Sequence, residues 1–219
     1  MELSIQELYD ILFENLGPQG WWPADNPYEI IVGAILVQNT NWRNVERSLD
    51  NLRGATEFDP DKILSLDMET LQQCIQPSGF YKNKSKAVHH IFRWLKEHDY
   101  DFDNKEHDYD FDNIDKMYVD TLRHELLALP GIGPETADVL LVYVFDKVVF
   151  IADTYTRRLF KLLGVDSRNY KELQDVIQLP ESFTPAHAQE FHGLLDEFGK
   201  RYLSPKGVKG ETFLDAYFK

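Results

Sequence analysis

The sequence predicts an all-α fold, and three observations carry that prediction. Apolar residues recur at helical spacing along most of the chain. Helix-start and helix-stop residues bracket those stretches, and only Val148–Ile151 has the composition of an extended segment. A lone segment of that kind does not make a sheet. With 43% hydrophobic and 13% aromatic residues among 219, the chain can bury a sizeable core, as one large domain or two smaller lobes.

Asn26-Pro27-Tyr28-Glu29 combines an N-cap, a proline at the first helical position and an acid in the first turn. The helix it starts, through Ile30, Ile31, Ala34, Ile35 and Leu36, is apolar almost all round and is expected at the centre of its lobe. A second helix is expected from about Asn41 to Leu52, with Val45, Leu49 and Leu52 on one face and Gly54 as its stop. Asp67 caps a short helix to Ile75, and Pro77-Ser78-Gly79 is a turn. Asn83 to Leu95 is helical, with Ala87, Val88, Ile91 and Leu95 inward. Tyr118–Leu129 and Pro134–Phe145 follow, separated by Pro130-Gly131-Ile132-Gly133. Asp153–Leu163 closes on Gly164, and Ala186–Leu203 closes on Ser204-Pro205.

The formal charge of −14 disfavours a polyanionic partner at first sight. Its distribution is uneven, however. Residues 96–104 (KEHDYDFDN) recur unchanged at 105–113; each copy sums to −3, so this duplicated acidic loop supplies −6 of the total. Asp99, Asp101 and Asp103 resemble the start of a calcium loop, but Asn104 and Asp110 stand where that loop needs glycine and a bidentate glutamate. The solvated-loop reading is preferred. By contrast, Ser78–Lys96 holds Lys82, Lys84, Lys86, Arg93 and Lys96 with no acid at all.

Cys74 is the single cysteine, so thiolates can hold neither zinc nor an iron–sulfur cluster, and a reducing cytoplasm is the expected home. The seven histidines show no tight ligand spacing, so no metal is expected. The richest apolar run, Ile30–Val37, stops at Gln38, short of a membrane span, and the N-terminus lacks the basic start of a secretory signal.

The strongest local signal is Leu129-Pro130-Gly131-Ile132-Gly133-Pro134-Glu135-Thr136-Ala137. Two glycines permit a sharp turn, and Pro134 starts a helix whose free N–H groups face back into it. Such a turn is either a plain connection or a backbone grip on phosphate, and the full string favours the grip. Amides add nothing to formal charge, which eases the conflict with −14. Downstream, Asp153 ends the run Val148-Val149-Phe150-Ile151-Ala152 and opens a helix. It is either a simple N-cap or a partly desolvated carboxylate able to steady an oxocarbenium-like sugar.

Together, LPGIGPETA and FIADTYTRR resemble the endonuclease III superfamily of helix-hairpin-helix DNA glycosylases, and the resemblance covers nearly the whole chain. It implies two α-helical lobes with an active-site cleft between them and damaged double-stranded DNA as the partner. On this chain those lobes are 24–145, with the hairpin at about 122–145, and 1–23 plus 146–219, carrying the aspartate. It implies Asp153 as the catalytic residue, with Gly131, Ile132, Gly133 and Thr136 on the DNA backbone. Gln38 would fill the gap left by a flipped base, and Phe80, Lys82, Lys84 and Lys86 belong to a second DNA-contacting turn. Bifunctional members have a Schiff-base lysine where this chain has Glu135, which implies no strand-cleaving lyase step. Many members also carry a cysteine-held cluster; this chain has the cysteines for none. A monomer is expected.

Trp21-Trp22-Pro23, Gln38-Asn39-Thr40-Asn41-Trp42, Phe191-His192-Gly193 and Glu197-Phe198-Gly199-Lys200 look like the bacterial 3-methyladenine DNA glycosylases of that superfamily. The resemblance implies a base pocket of Trp21, Trp22, Pro23 and Trp42 with Lys200 near it, although relatives have phenylalanine at the position of Trp42. Core packing is the competing reading for Trp21 and Trp22, and plain solvent exposure for Lys200. Aromatic walls suit a cationic, electron-poor base. A glycosylase for another lesion or mismatch, and a DNA-binding protein without catalysis, remain the alternatives.

Overall fold

Helix starts are written into this sequence as hydrogen-bond acceptors. In the computed structural model, which describes residues 2–24, 26–98 and 119–219, Ser4, Asn26, Asn41, Asp59, Asp67, Asp153, Asn169 and Thr184 each accept the backbone N–H three residues on. The helices they open are α1 (Ile5–Leu16), α2 (Pro27–Leu36), α3 (Trp42–Thr56), α4 (Pro60–Ser65), α5 (Met68–Ile75), α9 (Thr154–Leu162), α10 (Tyr170–Val176) and α11 (Pro185–Tyr202). The others among the described residues are α6 (Tyr81–Glu97), α7 (Val119–Ala128) and α8 (Pro134–Tyr143). From residue 99 onward the duplicated acidic segment lies outside the described residues.

The chain divides into two compact units, Ala24–Phe145 and Met1–Pro23 with Asp146–Lys219. In the first, α2 is buried on nearly every side, from Tyr28 through Leu36, and packs against α3, α6 and α8. Its one buried acid, Glu29, is paired with Arg53 of α3. In the second unit α1 and α9 both pack along α11, joining Leu8 and Leu12 to Leu159, Phe160, Phe191, Leu194 and Phe198 in one apolar cluster. Burying each such side chain contributes about 1.5–3 kcal/mol before the entropic cost of ordering it.

One expectation changes. Helix α3 runs through Gly54 because the buried face Val45, Leu49 and Leu52 continues to Thr56; the reversal comes at Glu57, in the left-handed region. As expected, Val148–Ile151 joins no sheet; the strands among the described residues are β1 (Leu203–Ser204) and β2 (Gly207–Val208), an antiparallel pair.

Candidate active site and nucleic-acid interface

Asp153 ends the buried run Phe150-Ile151-Ala152 and caps α9, so the apolar segment carries it inward while the helix start supplies a donor. Its Oδ1 accepts the Thr156 N–H at 2.7 Å, and Nε2 of His192 lies 3.5 Å from Oδ2. The residue is 9% exposed. Burial alone would raise its pKa, but the hydrogen bond and charge of His192, with the Thr156 N–H, outweigh it and hold the carboxyl below its ordinary 3.8. A carboxylate stays ionised there at neutral pH.

His192, Asp196 and Lys200 follow one another at i, i+4 spacing on α11. Lys200 pairs with Asp196 and holds its ammonium 5.2 Å from the centre of the Trp21 ring. Burial and the nearby negative charge of Asp153 push Asp196 upward in pKa, against the pull of Lys200 and His192. Trp21 and Trp22 are half-buried on a loop and meet edge to face with centroids 5.7 Å apart. Trp21 reaches α11 through Gly193, where a β-carbon would stand 3.1 Å from its Cδ1. Pro23 is exposed beside them. One unit thus brings Asp153, Trp21 and Lys200 to the same helix. His192 and Asp196 were not among the expected site residues, although their spacing with Lys200 is legible in the sequence. A larger depression of about 590 Å³ in this unit is lined by Val148, Phe150, Ile177 and Leu179 and includes neither Asp153 nor Trp21.

The other unit holds the hairpin. Gly131 adopts φ +90°, the Ile132 N–H closes the turn on Leu129 O at 3.1 Å, and Gly133 is extended before Pro134. Only the first glycine therefore needs the left-handed region. At Gly133 a β-carbon would meet nothing within 4 Å, so the space before the helix start is open. Helix α8 and helix α6 begin without a side-chain cap, the latter at Phe80, which has φ +48° and is 70% exposed. Gln38, Asn39, Phe80, Asn83 and Gly131 line one depression of about 250 Å³. The two expected DNA-contacting turns and the glutamine turn therefore meet on one face of this unit, with amide donors and the positive ends of two helices available to phosphate.

Several side chains take other parts than expected. Lys84 is no surface phosphate contact: it is 5% exposed, and its ammonium donates to Leu36 O at 2.8 Å, Ser78 O at 2.8 Å and Thr40 Oγ1 at 3.1 Å. It ties α2 to the turn before α6, and burial lowers its pKa to about 8. Thr136 is buried and its hydroxyl accepts from the amide of Gln38, so it holds that glutamine in place. Ile132 is buried and anchors the turn by its side chain. Lys82 and Lys86 are exposed as expected of phosphate contacts. Trp42 begins α3 in this unit, its indole N–H donating to Glu46 Oε1 at 2.9 Å. Glu135 is exposed in the first turn of α8.

Comparison with known proteins shows the family and the fold. Residues 32–180 match the HhH-GPD superfamily of base excision DNA repair proteins. The "Putative DNA repair glycosylase MJ1434" of Methanocaldococcus jannaschii is 38% identical over 210 residues, 93% of this chain and 90% of that protein. The crystal structure of the H. pylori 3-methyladenine DNA glycosylase bound to 1,N6-ethenoadenine is similar with a TM-score of 0.71 at 30% identity, over 91% of this chain and 98% of that one. A non-covalent endonuclease III–DNA complex shares the fold, with a TM-score of 0.70 at 20% identity over 94% and 88% of the two chains.

Proposed function

The chain belongs to the HhH-GPD superfamily of base excision DNA repair proteins, and on that premise we propose that it is a monofunctional DNA glycosylase removing alkylated bases of the 3-methyladenine type. The observation that carries the catalytic part is Asp153: buried, ionised, and fixed at both oxygens. In the reaction the bond from C1′ to the base nitrogen breaks and its electron pair leaves with the base. The sugar is left as an oxocarbenium-like cation, which the carboxylate stabilises. Water then adds to C1′, and its proton passes to Asp153 or to solvent. An N-alkylated base is already electron-poor, so little acid assistance is needed.

Trp21 and Trp22, half-buried on a loop rather than packed in the core, support the alkylated-base reading, since aromatic faces attract a cationic ring by about 0.5–2 kcal/mol per contact. The similarity to a 3-methyladenine glycosylase supports it independently. Glu135 supports the monofunctional reading, because a carboxylate cannot form a Schiff base with the sugar. A cluster held by four thiolates does not fit a chain with Cys74 alone, so the enzyme is read as working without one.

The test is base release from methylated duplex DNA, with freed bases identified and the strand checked for nicks. The expected result is release of 3-methyladenine with strands intact until alkali is added. The Asp153→Asn variant should lose about a hundredfold or more in rate while still binding damaged DNA. Strand cleavage without alkali would overturn the monofunctional reading; no release of any alkylated base would overturn the substrate reading.

A further inference from the structure

We propose that Thr156 is a positioning residue for Asp153, its buried hydroxyl serving as a second donor that fixes the carboxylate's direction while the base–sugar bond breaks. The inference rests on the reading of Asp153 as the group that stabilises the sugar cation. Thr156 stands in the first turn of α9, is fully buried, and gives its backbone N–H to Asp153 Oδ1 at 2.7 Å. Its hydroxyl, by contrast, is closed to water and meets no hydrogen-bond partner among the described residues.

A buried hydroxyl left without a partner destabilises a fold, so nearly all are satisfied, and an exception calls for a reason. The ordinary outlet of a helical threonine is a carbonyl three or four residues back, here Asp153 or Ala152, and neither receives it. What the hydroxyl does stand beside is the carboxylate. Against the upward push of burial, His192 and both the amide and the hydroxyl of Thr156 hold the carboxyl below its ordinary 3.8. The amide makes one short bond to one oxygen, and the His192 contact on the other is looser at 3.5 Å, so the carboxylate keeps some freedom to swing. A hydroxyl hydrogen turns to suit its acceptor, and catalytic hydrogen bonds often tighten only when substrate is seated. With hydroxyl and amide both donating, the carboxylate is held by one residue, and its aim at C1′ persists as positive charge grows there. The hydroxyl proton stays on Thr156 throughout.

Two substitutions divide the hydroxyl from its packing. Thr156→Val keeps the shape and loses the hydroxyl; Thr156→Ser keeps the hydroxyl and loses a buried methyl. Single-turnover excision of whichever base the wild type releases should slow by about tenfold or more in T156V and stay within about threefold of wild type in T156S. Unfolding in urea should rank them the other way, with T156V at least as stable as the wild type and T156S less so. A structural role cannot separate rate from stability in this manner. An unchanged rate in T156V, an equal loss in both variants, or a T156V whose stability falls with its rate each overturns the proposal. A second readout needs no catalysis: the Asp153 carboxyl, followed by NMR, should titrate higher in T156V than in the wild type. No upward movement overturns the proposal. Movement without release of any tested base overturns the glycosylase reading and leaves the contact between hydroxyl and carboxylate standing.

Discussion

Gly131 and Ala87 lie so close that a methyl group on the glycine would stand 2.7 Å from the alanine's Cβ. The hairpin turn is thus pressed onto α6, the helix whose start carries Phe80. This contact is how the hairpin turn and the start of α6 come to border one depression.

Replacing Gly131 with alanine therefore meets two penalties at once, a β-carbon at φ +90° and an overlap with a backbone-anchored side chain. Together they should cost about 2 kcal/mol or more. Urea unfolding of Gly131→Ala should show that loss, and binding to undamaged duplex DNA should weaken with it. Gly133→Ala, which meets no neighbour, should leave stability within about 1 kcal/mol and weaken DNA binding alone.

Arg123 of α7 reaches Asp138 of α8 through two hydrogen bonds, of 2.7 and 3.1 Å, and Asp138 is fully buried. Arg123→Met should destabilise by about 3–5 kcal/mol, because a buried carboxylate loses its guanidinium. The double replacement Arg123→Met/Asp138→Leu should recover most of that loss in thermal or urea unfolding. A double variant as unstable as the sum of the two single ones would count against this account.

Lys84 and its neighbours separate by salt and by pH. Lys82→Ala and Lys86→Ala should each lower the salt slope of DNA affinity by about 1, whereas Lys84→Met should leave the slope unchanged and destabilise the fold. The folded-state pKa of about 8 lies below the ordinary 10.5, so across that interval the unfolded chain binds more protons. Stability should rise with pH there, by up to about 1.4 kcal/mol per unit, in the wild type and not in Lys84→Met.

Asp153 acts with the same sign in acid, because its folded-state pKa is lowered as well. Its folded-state pKa is below 3.8, so the stabilisation it gains from its partners is present above that value and lost as pH falls through the lower one. Unfolding free energies of the wild type and Asp153→Asn should differ most near about pH 7 and converge as the pH falls below 3.8. A gap that persists unchanged into acid would mean that the variant's effect is packing rather than charge.

The parts of the fold legible in the sequence are those whose signals are local. Asn26, Asp67 and Asp153 cap as their residue types suggest, Gly164 ends α9 with φ +82°, and the hairpin glycines bracket a real turn. Helix α1 carries its signals equally openly, in the capping box of Ser4 and Glu7 and the spacing of Ile5, Leu8 and Leu12, yet lay outside the expected set. At six and seven residues, α4 and α10 are too short for a 3.6-residue period to register. Gly54 misled because burial of Thr56 outweighs a local breaker. Lys84 misled more deeply: a lysine in a basic run reads as surface, and only the acceptors at Leu36, Thr40 and Ser78, distant in sequence, draw it inside. The contact of His192 with Asp153 is likewise tertiary, invisible until α9 and α11 are packed together.

Helices α6 and α8 differ from the eight that close their own first turn with a side chain. A phosphate seated at either start would supply the missing acceptors, and the nucleic acid would become a structural component of the unit while it is held. Binding and folding then share one free energy, and stability rises with the concentration of duplex whether or not it contains a lesion.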